Sequence, residues 1–309
     1  MTSSTVADPS GAAGGPTAPQ SVAFGLVRAC RPRQWLKNVL VFAAPGAAGV
    51  IFHAGPLVRS LLAFAAFCAA ASATYLLNDA AEVDADRRHP VKRLRPIAAG
   101  IVSVRLAQVT SAALMLVAAL LALASGRPRL LMVVAGYVVL TLAYTFWLKH
   151  VAVVDMVAVA GGFILRAVAG AVAVPVRLSD WFLIFTSFSS LLIVAGKRYA
   201  ELGELGADSG VRATLETYTR PFLQIVLGLA LATTTIAYCL WAFEKAGAAD
   251  HGPWFQLSIM PMVTALLRYT LLLDNGRGSA PEDVFLSDRA LQILGVVWLA
   301  LFAIGVHGG

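Results

Sequence analysis

The chain has 309 residues, of which 59% are hydrophobic and only 13% charged, with a formal net charge of +7. A soluble domain carries roughly 25% charged residues, so this composition excludes an ordinary cytosolic globule and points to a polytopic membrane protein. The positive balance then follows from membrane topology and gives no reason to expect nucleic acid as a partner.

Residues 1–22 open with MTSSTVADPSGAAGGPTAPQ, rich in Gly, Pro, Ser and Ala. They read as a disordered tail and lack the pattern of a removable signal peptide. Residues 23–309 read as one all-α transmembrane domain. Its expected spans lie near 36–53, 56–77, 104–125, 129–148, 151–174, 181–196, 221–243, 255–273 and 290–306. The connections 78–103 and 197–220 are long and charged, whereas GRPR, VPVRLS and EKAGAADHGPW on the other side are shorter. Lys and Arg concentrate on the side of the N-terminus and of the two long loops, which the positive-inside rule assigns to the cytoplasm. A multi-pass protein of the cell's inner (plasma) membrane, working on a cytosolic substrate, fits this asymmetry. Stretches such as VAVAGGFILRAVAGAVAV suit close helix packing in lipid; a homo-oligomer is left open. Cys30, Cys68 and Cys239 show neither zinc spacing nor a disulfide framework.

The apolar span before residue 78 runs into NDAAEVDADRRHP, residues 78–90. On a helix Asn78, Glu82 and Asp86 share a face, with Asp79 beside them. Carboxylates this close repel one another unless a cation neutralises them, and hard oxygen ligands with room for substrate oxygens point to Mg²⁺ bridging to a phosphate. Asp84 points elsewhere, as a solvated neighbour. The second loop opens with AGKRYAEL: Lys197 and Arg198 form a phosphate-type pocket, with Glu201 one turn on. Ahead of the first span, RPRQWLKN carries Arg31, Arg33, Trp35 and Lys37, which fit either an interfacial anchor or a grip on a lipid phosphate. Arg95, in KRLR, is a further basic candidate. Asp155 and Arg166 stand eleven residues apart on one face of the fifth span. With Tyr144 and Lys149 they would line a cavity for a charged substrate head; the other reading is a structural ion pair.

Over about residues 25–308 the chain resembles the UbiA prenyltransferase superfamily. The resemblance rests on NDAAEVDADRRHP, which is similar to the family pattern NDxxDxxxD with Glu82 at the middle position. It implies a ring of nine helices around a central cavity that opens to lipid, and Mg²⁺ held by Asn78, Asp79, Glu82 and Asp86. Most members carry a second aspartate-rich motif where this chain has KRYAEL. That departure, with RPRQWLKNVLVFAAP, HPVKRLRPIAAG, AYTFWLKH, ILRAVAGAVA and YCLWAFE, resembles one branch of actinobacterial cell-wall synthesis. The branch transfers 5-phosphoribose from phosphoribosyl pyrophosphate (PRPP) to decaprenyl phosphate. The resemblance then implies catalysis by Asp79, Asp86, Lys197 and Arg198. It implies substrate contacts from Arg33, Lys37, Arg95, Tyr144, Lys149, Asp155, Arg166 and Glu201. The product, decaprenylphosphoryl-5-phosphoribose, would feed arabinan synthesis. A lipid phosphate is ionised at neutral pH and needs no general base, in keeping with His53 on the opposite side and the peripheral positions of His89 and His150. The rival readings are an aromatic prenyltransferase using a prenyl diphosphate, which predicts carboxylates in place of Lys197 and Arg198, and a transporter of anionic metabolites, which predicts broken helices meeting at the midplane.

Overall fold

The computed structural model describes residues 21–205, 214–248, 252–276 and 281–307, and every regular element among them is helical. Most of the expected N-terminal tail lies outside the described residues; Ser21 already caps the first helix, α1 (Val22–Ala29), by accepting from the Phe24 N–H. In chain order follow a 3₁₀ helix (Pro32–Phe42), α2 (Ala43–Ala47), α3 (Ala54–Ala81), α4 (Val83–Arg88), α5 (Val104–Ala124), α6 (Pro128–Phe146) and α7 (Val154–Ala173). The second half holds α8 (Asp180–Leu205), α9 (Arg220–Ala248), α10 (Trp254–Leu257), α11 (Ile259–Asp274), α12 (Pro281–Ser287) and α13 (Arg289–His307).

Eight stretches among the described residues are long and apolar enough to cross a membrane: α3, α5, α6, α7, α8, α9, α10 with α11, and α13. Successive crossings alternate in direction. α3, α6, α8 and α11 therefore finish, and α5, α7, α9 and α13 begin, at the end that carries Asp79, here termed the acidic end.

The expected first span, 36–53, is not a continuous helix. Its 11-residue 3₁₀ piece and 5-residue α2 extend about 30 Å together, the thickness of a hydrocarbon core. Burial along it recurs every third residue, with Asn38, Val41 and Ala44 inside and Leu36 and Val39 outside, the period of a 3₁₀ helix. Pro45 cannot donate to the carbonyl of Val41, and that carbonyl instead abuts Gly170 of α7, where a Cβ would overlap it. A proline, a glycine opposite and a buried asparagine thus shape this crossing, none of which a hydropathy average registers.

The apolar windows of α3 and α7 are 61% and 56% buried within the protein, against 11% for α13. α3 and α7 are therefore the interior helices and α13 faces outward. Ala63, Ala66, Ala70 and Ala71 of α3 let neighbouring backbones approach closely. One apolar cluster joins α3, α5, α6 and α7 around Phe67, Leu130 and Tyr137. A second joins Met156 of α7 to α8, α9 and α11 around Leu192, Leu223 and Leu273. α7 belongs to both, its first half through Met156 and its last turns through Ala169 and Ala173.

Candidate active site

The acid-rich stretch is not one helix. α3 ends at Ala81 and α4 begins at Val83, with Glu82 at φ −98°, ψ 12° between them. The break parts Asn78 and Glu82 from Asp86, so the single helical face expected across 78, 82 and 86 does not form. Asp79 and Asp86 are each 2% exposed and converge on one cationic atom. Arg95 Nη1 donates to Asp79 Oδ1 at 3.1 Å and to Asp86 Oδ2 at 2.7 Å. Arg31 Nη2 reaches both Asp79 oxygens, at 2.7 and 3.0 Å, while its guanidinium lies 4.7 Å from the Tyr75 ring centroid. Glu82 turns away from this pair to the Lys149 ammonium and accepts from Asn78 Nδ2 at 3.3 Å. Burial pushes the Glu82 carboxyl up, but the hydrogen bond and charge of Lys149 outweigh it and leave the group below its ordinary value. Asp84 is exposed and pairs with Arg87.

This donor set suits a magnesium ion. All its candidates are hard oxygens, and two buried carboxylates already surround a single positive nitrogen. The described residues hold no group of three or more Asp, Glu, His or Cys side chains gathered for a metal. An ion at this place would rest on Asp79 and Asp86 and take its remaining oxygens from elsewhere.

At the same end a cavity of about 250 Å³ lies between the 3₁₀ helix, α6, α7, α8 and α12. Leu36, Lys37, Tyr144, Lys197, Arg198 and Phe285 are among its lining residues. Four residues singled out in the sequence, Lys37, Tyr144, Lys197 and Arg198, thus come together from three elements. Arg33 is exposed on the 3₁₀ helix.

Lys197 and Arg198 stand differently. The connection expected at 197–220 is helical at its start, where α8 continues to Leu205; residues 206–213 lie outside the described part. The Lys197 side chain is 40% exposed, with Glu201 4.0 Å away. Arg198 is buried: its Nε donates to Asp155 Oδ2 at 3.1 Å and its Nη1 to Glu201 Oε2 at 3.0 Å. Asp155, 0% exposed, also accepts from the Tyr218 hydroxyl.

Asp155 and Arg166 share a helix but not a bond, because eleven residues of α-helix separate them by about 16 Å. Arg166 donates to Asn38 Oδ1 (2.7 Å), the Gly162 carbonyl (2.7 Å) and the Tyr137 hydroxyl (3.1 Å), between the rings of Tyr137, Phe163 and Phe67. It ties the 3₁₀ helix to α7 and α6. Asn38 and Tyr218 escape the sequence reading. An amide inside an apolar stretch is itself a signal for Asn38, whereas nothing local marks Tyr218.

The sequence profile of the UbiA prenyltransferase family matches residues 39–302. The chain belongs to that family. It is an integral, multi-pass membrane protein. It is 43% identical to a decaprenyl-phosphate phosphoribosyltransferase of Corynebacterium glutamicum, with 94% of this chain and 89% of the relative covered. With the enzyme of that name from Mycobacterium tuberculosis it shares 45% identity over 94% of this chain and 97% of the relative. The solved structure of a UbiA homolog from Archaeoglobus fulgidus, bound to GPP and Mg²⁺, superposes with a TM-score of 0.68. The sequences are 18% identical, and 91% of this chain and 98% of that one are covered. The likeness shows the UbiA fold.

Proposed function

We infer that this chain transfers 5-phosphoribose from PRPP to decaprenyl phosphate, giving decaprenylphosphoryl-5-phosphoribose and pyrophosphate for arabinan synthesis. The observation that carries the reading is 42–45% identity to decaprenyl-phosphate phosphoribosyltransferases along 94% of the chain. Supporting it, buried carboxylates and a cavity with two lysines lie at one end.

In this reaction an oxygen of the lipid phosphate forms a bond to the anomeric carbon as the bond to the pyrophosphate oxygen breaks. Asp79 and Asp86 would hold Mg²⁺, which when bound offsets the charge of the leaving pyrophosphate, while Asn78 and Glu82 turn to each other and to Lys149. Arg31 and Arg95 hold the Asp79 and Asp86 carboxylates in place. Lys197 meets the distal phosphate of PRPP, and Arg198 sets the wall behind it. Tyr144 lines the same cavity, and Lys149 holds Glu82. Lys37 and Arg33 attract the lipid phosphate. No proton must be removed from the acceptor, so catalysis rests on positioning and electrostatics. The acidic end faces the cytoplasm of the plasma membrane, in keeping with its excess of Lys and Arg.

Purified protein incubated with PRPP, Mg²⁺ and decaprenyl phosphate tests the reading by mass spectrometry of the lipid fraction. The expected result is a lipid heavier by one phosphoribosyl group. Recovery of unmodified lipid alone would refute it.

A further inference from the structure

Two non-glycine residues among those described have a positive φ: Arg31 and Val153. Val153 sits at φ 69°, ψ −48°, immediately before α7, a region that a β-branched side chain strongly disfavours. Such a conformation persists where its surroundings hold it, and here the holder is Tyr218. The Val153 N–H donates to the Tyr218 hydroxyl oxygen at 2.6 Å, and the same hydroxyl donates its proton to Asp155 Oδ1. Burial and this bond to Asp155 raise the hydroxyl above the ordinary tyrosine range, so it stays a donor at neutral pH. The ring is buried and stacked on Phe222, with 4° between their planes. Asp155 Oδ2 takes the Nε of Arg198, and Thr214 Oγ1 lies 3.5 Å from the same oxygen.

Asp155 has no exposed surface, so it acts on a substrate through Arg198 and not by contact. Arg198 and its neighbour Lys197 line the cavity.

We propose that Tyr218 is a positioning residue for the donor phosphate: its single hydroxyl locks the start of α7 and orients Asp155, which in turn aims Arg198 and sets the cavity wall beside Lys197. The assignment rests on the phosphoribosyl-transfer reading. It links the segment ahead of α9 to the phosphate pocket, while the carboxylates of Asp79 and Asp86 are held by Arg31 and Arg95. Loss of the hydroxyl therefore acts on one substrate.

The test is steady-state kinetics of full-length Tyr218→Phe and Asp155→Asn, with melting curves in the same detergent. Asp155→Asn keeps the shape of the acid and probes the same link from its other end, and the melting curves separate a variant that fails to fold from one that loses only positioning. Both should raise the KM for PRPP about tenfold, keep kcat within about threefold, and leave the KM for decaprenyl phosphate unchanged. An unchanged KM for PRPP, or an equal rise for both substrates, would overturn the proposal and leave Tyr218 a structural staple. Failure of the functional reading looks different: the wild type itself would then show no PRPP-dependent transfer.

Discussion

Arg95 and Asp86 meet at 2.7 Å, Nη1 to Oδ2, and the same nitrogen reaches Asp79. A guanidinium between two buried carboxylates holds them together at the place where the proposed metal would bind. Asp79→Ala and Asp86→Ala should each lower transfer by at least about a hundredfold, since each removes a charge-assisted ligand and leaves an arginine poorly matched. EDTA should abolish activity and added Mg²⁺ restore it. Undiminished turnover in excess chelator would rule out the metal.

Lys197 and Arg198 should separate on substitution. Lys197→Ala is expected to raise the KM for PRPP about tenfold with an unchanged Tm, because its side chain is the more exposed. Arg198→Ala leaves Asp155 buried beside an empty partner position, which costs about 3–5 kcal/mol. Its Tm should fall along with its activity, and thermal unfolding in detergent distinguishes the two.

The approach of Val41 to Gly170 predicts a stability effect far from the chemistry. Gly170→Ala places a methyl against a backbone carbonyl that cannot give way, and should cost about 1–3 kcal/mol or prevent folding. Gly136→Ala, with nothing near its new methyl, should be neutral or slightly stabilising. Melting temperatures of the pair check this; equal values would mean the 3₁₀ crossing does not pack on α7 as described.

The Glu82–Lys149 pair sets a pH dependence. The Glu82 carboxyl lies below its ordinary value of 4.5. Its contribution to stability is therefore present above that pH and lost as pH falls through the depressed folded value. Glu82→Gln should flatten the acid limb of the stability profile in that window and lower stability at neutral pH, where the wild type holds that contribution in full. An unchanged acid limb would show that the pair carries no stability.

What could be read from the sequence divides along physical lines. Hydropathy located the continuous crossings because each is a local, one-dimensional property. The acid motif and the Lys197–Arg198 pair also stood out, since charge beside an apolar run is conspicuous. The 3₁₀ crossing was hidden because Pro45 and Asn38 act through partners on α7, more than a hundred residues away in sequence. The break at Glu82 was hidden because the acids are spaced well for a helix, yet Lys149 draws one of them aside. Tyr218 and Asp155, 63 residues apart, leave no periodic trace at all.

The most direct measurement follows the two ends of PRPP separately. PRPP labelled in its distal phosphate and PRPP labelled in its pyrophosphate are each incubated with the protein, Mg²⁺ and decaprenyl phosphate, and the lipid is extracted. Phosphoribosyl transfer sends the distal label into the lipid and leaves the pyrophosphate label in water. Pyrophosphate label in the lipid, or no label there from either donor, would contradict the reaction assigned to this chain.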